Sequence, residues 1–433
     1  MRIERPAYLK KLIQKRENGL IKVITGIRRC GKSYLLFEIY RDHLLESGVA
    51  EEQIIGLALD EISNAKYRNP LELDKYIREQ ITDKSKMYYV FLDEIQKVVQ
   101  IQNPYVDHAD SQIGFVDVVL GLMKIKNVDL YITGSNSRML SSDILTEFRD
   151  RGDEVRVGPL SYKEFLSVFD GDRSRAWSEY YTYGGMPLVL ARKSHDEKSR
   201  YLKDLFTRTY LTDVLERHRV LNEKEVLEDL LNILSSSVGS LTNPSKLSKT
   251  FESVKHVTLS PATVGRYLDF FSDAFLIAKA FRYDIKGKKY IDSPLKYYFT
   301  DVGLRNARLN FRQQEENHIM ENILYNELTA KGCDVDVGIV EHNTKTAAGK
   351  SERIRLEVDF VANRGSNRCY IQSALNISEE SKRRQEVRSL LQIRDSFRKI
   401  VVTKDPIVPW YDENGVFYIG IEQFLLDEHV LDG

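Results

Sequence analysis

The chain is 433 residues long, 42% hydrophobic and 30% charged, with Lys+Arg and Asp+Glu both numbering 64. That balance fits two or three packed domains and excludes both a disordered chain and one drawn to nucleic acid or membrane by overall charge. Cys30, Cys333 and Cys369 lie far apart with no CxxC pair, which argues against a disulfide framework and for a reducing, cytoplasmic setting.

The first segment, "MRIERPAYLKKLIQKRENG", is charged throughout and lacks the apolar stretch of a signal peptide. No run approaches the roughly 20 apolar residues of a membrane span. "LIKVIT" then reads as a buried strand that leads into "GIRRCGKS", and a helical pattern starts at once. Gly26 to Ser33 has the spacing G-x-x-x-x-G-K-S of a phosphate-binding loop. Its glycines let successive backbone N–H groups point inward at phosphate oxygens. Lys32 reaches the β- and γ-phosphates, and the Ser33 hydroxyl ligates Mg²⁺. The expected nucleotide contacts are Gly26, Ile27, Arg28, Arg29, Cys30, Gly31, Lys32, Ser33 and Tyr34.

About sixty residues on, "KMYYVFLDEIQKV" is an apolar strand ending in Asp93 and Glu94. An aspartate there orders Mg²⁺, and the adjacent glutamate is placed to polarise the attacking water. A third strand, "NVDLYITGSNSRML", closes on small polar residues. "TEFRDRGDEVRVGPLSYKEFL" sets Arg149 and Arg151 just before another short strand, and "YYTYGGMPLVL" reads as a turn, because Gly-Gly and Pro break regular structure.

"TRTYLTDVLERHRVLNEKEVLEDLLNILSSSVGSLTN" has the apolar spacing of a helical bundle. Two helices follow, each opened by a helix-start signal in "NPSKLSKTFESV" and "SPATVGRYLDFFSDAFLIAKA". With the hairpin "DIKGKKY" after them they predict a winged helix. From Pro244 to Arg312 there are thirteen Lys/Arg against six Asp/Glu. Thr263, Arg266, Lys286, Lys288 and Lys289 could meet DNA phosphates there, or the segment could serve as a lid or protein contact.

In the last 120 residues, "RIRLEVDFVAN" carries Asp359, "NRCYIQSALNI" is a second strand, and a helix follows in "SEESKRRQEVRSLLQI". The order resembles the restriction-endonuclease-like fold, in which two carboxylates bind Mg²⁺ and a lysine assists water. Gln372 stands where the second carboxylate would be, and Ala374 where the lysine would be. Glu321, Glu357 and Asp359 remain. The expectation is a scaffold that binds DNA or protein without cutting.

"TGIRRCGKS", "YVFLDEIQ", "ITGSNSRML", "VGPLSYKEF", "YYTYGGMP" and "YLDFFSDAFLIAKAFRYDIKGKKY" together resemble a family of bacterial and archaeal AAA-type ATPases related to the STAND (signal-transduction) branch. The resemblance spans nearly the whole chain. It implies that Ser135 or Asn136 is a polar sensor near the γ-phosphate, and that Arg151 is a finger reaching a neighbouring subunit's nucleotide. It also implies that Gly185 and Pro187 lie against the adenine.

The expected fold is α/β. A P-loop NTPase parallel sheet with helices on both faces fills residues 1–160, a helical and winged-helix domain 161–312, and a small α/β nuclease-like domain 313–433. The expected activity is slow ATP hydrolysis that switches conformation. Catalysis would fall to Glu94, Lys32, Arg151 and Asn136, and Mg²⁺ to Ser33 and Asp93. DNA or a protein is the expected partner, with a homo-oligomer allowed for. The alternatives are a nucleotide-dependent protein-binding switch and an ATP-dependent nuclease.

Overall fold

A computed structural model describes residues 2–106, 111–134, 151–216, 218–220, 223–312, 315–345 and 351–432. The chain divides into two compact units, Met1–Gly158 with Asp273–Phe275, and Pro159–Ser272 with Leu276–Gly433.

In the first unit, helix α1 (Pro6–Lys15) precedes strands β1 (Ile21–Thr25), β2 (Ile54–Ala58) and β3 (Tyr88–Asp93). A short hairpin of β4 (Ile101–Gln102) and β5 (Gln112–Ile113) leads on to β6 (Val128–Thr133) and β7 (Gly152–Arg156). Five strands form one sheet in the order β2-β3-β6-β1-β7, every pair parallel.

Strands buried on both faces need near-continuous apolar runs; "YYVFLD" supplies one, and "IKVIT" another in which the buried Lys22 is paired with Asp129. Alternation assigns the faces. Val90, Leu92, Leu130 and Ile132 pack against helices Pro70–Gln80 and Phe115–Met123 through Leu73, Ile77, Val118 and Leu122. Phe91 and Tyr131 point the other way and meet Phe37 and Tyr40 of the helical run 32–46, with ring centroids 5.1–5.9 Å apart. The expected helices on both faces are present. Because all five strands run the same way, the C-terminal ends of β1, β3 and β6 lie at one edge. That edge is where an open parallel sheet binds its ligands.

The second unit opens with helices that include Tyr162–Val168, Ala176–Tyr183 and His195–Thr209, then Lys224–Ser236, Pro244–Lys255 and Pro261–Asp273. Its sheet has eight strands: β8 (Ile277–Asp284), β9 (Lys289–Phe299), β10 (Asp334–Lys345), β11 (Ser351–Arg364), β12 (Asn367–Ala374), β13 (Arg398–Thr403), β14 (Trp410–Tyr411) and β15 (Val416–Gly420). The order is β14-β15-β13-β12-β11-β10-β8-β9.

The hairpin read as a wing is therefore the end of this sheet. β8 pairs with β10, with Val337 opposite Arg282 and Ile339 opposite Asp284. The ladder runs straight across position 312, where a domain boundary was expected. Helix Glu316–Ala330 buries Ile319, Ile323, Tyr325 and Leu328, and its Tyr325 ring stacks 4.4 Å from that of Tyr298 on β9. All three cysteines are buried and free. Among the described residues no helix is long and apolar enough to cross a membrane.

Candidate functional site

The Gly26–Ser33 loop leaves the C-terminal end of β1, as its motif requires. Gly26 has φ +140°, and a Cβ there would meet the Val157 carbonyl oxygen at 2.1 Å, so only glycine fits. After the loop the chain is helical from 32 to 46, with the stretch Leu35–Tyr40 wound as a π-helix. Such a stretch often sits beside a functional site. Lys32 is buried, and its Nζ donates to the carbonyls of Gly26 (2.9 Å) and Ile27 (3.0 Å). The ammonium thus crosses the mouth of the loop. Ser33 is exposed and Tyr34 half-buried.

Asp93 ends β3 and is buried. Glu94 follows in the left-handed region at φ 52°, ψ 47°, a conformation a glutamate adopts only where its surroundings enforce it. Two contacts surround it. Gln96 donates from Nε2 to Glu94 Oε2, and the Glu94 N–H reaches Thr133 Oγ1 at 3.4 Å. Burial raises the pKa of Glu94 and Asp93 adds to the rise, while Lys32, Gln96 and Arg28 oppose it. A carboxylate made more basic than usual beside a phosphate loop is suited to accept a proton from water.

Thr133, at the end of the intervening strand β6, also donates to Asp93 Oδ1. The sequence reading placed the polar sensor at Ser135 or Asn136, both outside the described residues. Thr133 was missed, although a hydroxyl closing an apolar strand was there to be read. Its role needs the β3–β6 pairing, in which Leu92 sits opposite Ile132.

Arg149 also lies outside the described residues. Arg151 is exposed, and its carbonyl accepts the N–H of Ile21, the first residue of β1. It therefore stands at the end of the sheet away from the phosphate loop. Gly152, the next residue, is paired with Ile21 in the ladder.

Gly185 and Pro187 belong to the second unit. Gly185 donates to Asp301 Oδ2 (2.8 Å), and its carbonyl accepts the Leu160 N–H (2.7 Å). A Cβ on Gly185 would meet the Leu160 carbonyl oxygen at 2.2 Å. Packing requires a glycine here, and Pro187 opens a short 3-10 turn.

Mg²⁺ fits the first unit. Asp93 and Ser33 offer one carboxylate and one hydroxyl, and magnesium commonly takes its other ligands from water and phosphate oxygens. Among the described residues no group of three His, Cys, Asp or Glu is gathered for a metal.

The second unit holds an unexpected cluster. Lys296, buried on β9, places Nζ 2.7 Å from Glu321, 2.6 Å from Glu357 and 3.8 Å from Asp359. Tyr298 donates to Glu321 Oε1 (2.6 Å), and the Ser373 N–H donates to Asp359 Oδ2 (2.8 Å). Gln372 lies beside Asp359, and Ala374 is buried. Burial works against the ammonium, but Glu321, Asp359 and Glu357 outweigh it and push its pKa up. Asp359 is held above the ordinary carboxylate range by burial and by Glu321, against the pull of Lys296. The tail was read as lacking its lysine. Among the carboxylates there is one, contributed by a strand the sequence reading had assigned elsewhere.

A family described as "AAA domain" matches residues 18–166, and a domain of unknown function, DUF8612, matches residues 174–315. An uncharacterized protein of Haemophilus influenzae is 34% identical over 408 residues, 93% of each chain. An uncharacterized protein of Methanocaldococcus jannaschii is 29% identical over 432 residues, 95% of this chain and 86% of that one. Among solved structures, a Walker-type ATPase of Pyrococcus abyssi aligns with TM-score 0.45 at 16% identity, covering 71% of this chain and 96% of its own. The ORC1 protein of Aeropyrum pernix in complex with DNA aligns with TM-score 0.30 at 12% identity, covering 72% and 93%.

Proposed function

This chain belongs to the same family as its Haemophilus influenzae relative and carries an AAA domain match over residues 18–166, and from that premise we propose that it binds Mg·ATP and hydrolyses it slowly to change conformation. The observation that most supports this reading is the meeting of Lys32, Asp93 and Glu94 at one sheet edge, with Thr133 hydrogen-bonded to both acidic residues. Lys32 and the loop N–H groups hold the β- and γ-phosphates. Ser33 and Asp93 would hold Mg²⁺, which when bound would supply charge to offset that of the phosphates. Glu94 takes the proton of the attacking water.

Calorimetry and phosphate release test the reading. Lys32→Ala should abolish tight Mg·ATP binding. Glu94→Gln should keep ATP bound and lower turnover about 10²-fold or more. Unchanged affinity in the first variant, or a loss under about threefold in the second, would refute the assignment.

The partner we propose is DNA, met by the β8–β9 turn, where Lys286, Lys288 and Lys289 are exposed. A protein partner is the competing outcome. Arg151, as a finger acting on a neighbouring subunit, and Asn136, as a sensor, remain part of this proposal.

A further inference from the structure

The N-terminal segment does more than cover the sheet. Pro6 at the first helical position begins α1 and leaves Arg5 as its N-cap residue, turned inward. Arg5 is only 2% exposed. Its Nη1 donates to the Cys30 carbonyl (3.0 Å) and its Nη2 to the Gly158 carbonyl (2.9 Å). The guanidinium lies 4.5 Å from the centre of the Tyr8 ring, and Tyr8 accepts the Gly158 N–H at 3.0 Å. Cys30 Sγ donates to the neighbouring Val157 carbonyl (3.3 Å). Burying a charged side chain is costly, and a residue that only anchored α1 could be apolar, as Leu12 is.

We infer that Arg5 is a positioning residue for the phosphate loop, holding the Cys30–Gly31 peptide so that the Gly31 N–H faces into the loop. A trans peptide is planar, with its C=O and N–H pointing in opposite directions. Fixing the Cys30 oxygen against Arg5 therefore fixes the Gly31 N–H on the other side, among the donors that cradle phosphate. A forked guanidinium can hold the two carbonyls at once, whereas a lysine is a single point charge. Through Gly158, Arg5 also ties the loop to the place where the chain leaves the first unit.

The inference rests on the proposed nucleotide site, and its test separates the two. ADP and inorganic pyrophosphate are titrated calorimetrically into the wild-type chain, Arg5→Met, Arg5→Lys and Tyr8→Phe. Arg5→Met should bind both ligands about tenfold more weakly, the scale of one hydrogen bond to an anion. The loss with pyrophosphate should match that with ADP, because it acts at the phosphates. Arg5→Lys should fall in between, which also covers the case that Arg5→Met folds poorly. Tyr8→Phe, which releases Gly158 but not Cys30, should stay within about twofold of wild type. In steady-state hydrolysis Arg5→Lys should raise KM more than it lowers kcat. A folded Arg5→Met that binds pyrophosphate like wild type overturns the inference alone, as does an equal loss in Tyr8→Phe. A wild-type chain that binds neither ligand overturns the nucleotide site with it.

Discussion

Replacing Lys296 by methionine would keep the volume of the side chain and remove its charge. Lys296 is 4% exposed, and Glu321 and Asp359 are 7% and 10% exposed, so all three meet in a poorly hydrated place. Glu357 is 32% exposed, and its share is discounted for solvent screening. Removing one partner of a buried ion pair costs about 3–5 kcal/mol, because the other partner is left charged and uncompensated. With one close, well-buried partner, the lower end applies here. The penalty should depend on pH. A carboxyl whose folded pKa lies above its unfolded value contributes stability at low pH, and loses that contribution as pH rises through the folded value. Asp359 is already in that position, and losing the ammonium, which now pulls it down, would raise it further. The deficit of Lys296→Met should therefore be smaller below about pH 8, where the folded Asp359 is protonated in either chain, and grow as pH rises above it. Both tryptophans, Trp177 and Trp410, lie in the second unit, so urea unfolding followed by tryptophan fluorescence reads the relevant part. A variant within about 1 kcal/mol of wild type, or a deficit that grows on acidification, would refute the reasoning.

Thr133→Val should weaken Mg²⁺-dependent ATP binding about tenfold, since the hydrogen bond that orients Asp93 is gone. Binding measured in EDTA should change far less, and an equal loss with and without metal would count against the role. Charge reversal at Lys286, Lys288 and Lys289 should weaken DNA binding and flatten its dependence on salt. Filter binding at two salt concentrations checks this, and a wild-type chain with no affinity for DNA would leave the protein partner as the better reading. The purified chain should leave plasmid and single-stranded DNA uncut with Mg²⁺ or Mn²⁺. Cleavage that disappears in Asp359→Ala would reverse that expectation.

What could be read from sequence followed how local each feature was. The phosphate loop is a strand, a turn and a helix start within about fifteen residues, and its glycine spacing states its own chemistry. Asp93 and Glu94 were legible for the same reason, as the end of an apolar run. Thr133 acts through a strand pairing, and Arg5 through contacts with Cys30 and Gly158, so neither showed in a local pattern. Arg151 was picked for its place before a strand. Lying before a parallel strand, it stands at the end of the sheet away from the chain's own phosphate loop, and its proposed role depends on a neighbouring subunit that no local pattern shows. Lys296 was hidden twice. It lies 63 residues before Asp359, inside a basic stretch whose abundance suggested a surface role, while its strand joins the sheet of the tail.

The continuity of that sheet decides how the protein can be taken apart. A fragment starting at residue 313 would lose β8 and β9, leaving β10 with an open row of N–H and C=O groups where Val337, Gly338 and Ile339 now meet β8. It would also lose the ammonium that offsets Glu321 and Glu357. An exposed strand edge beside uncompensated buried charge invites pairing with another copy, so such a fragment should precipitate or form soluble aggregates. A cut at Pro159 keeps the hairpin, the lysine and the sheet in one piece.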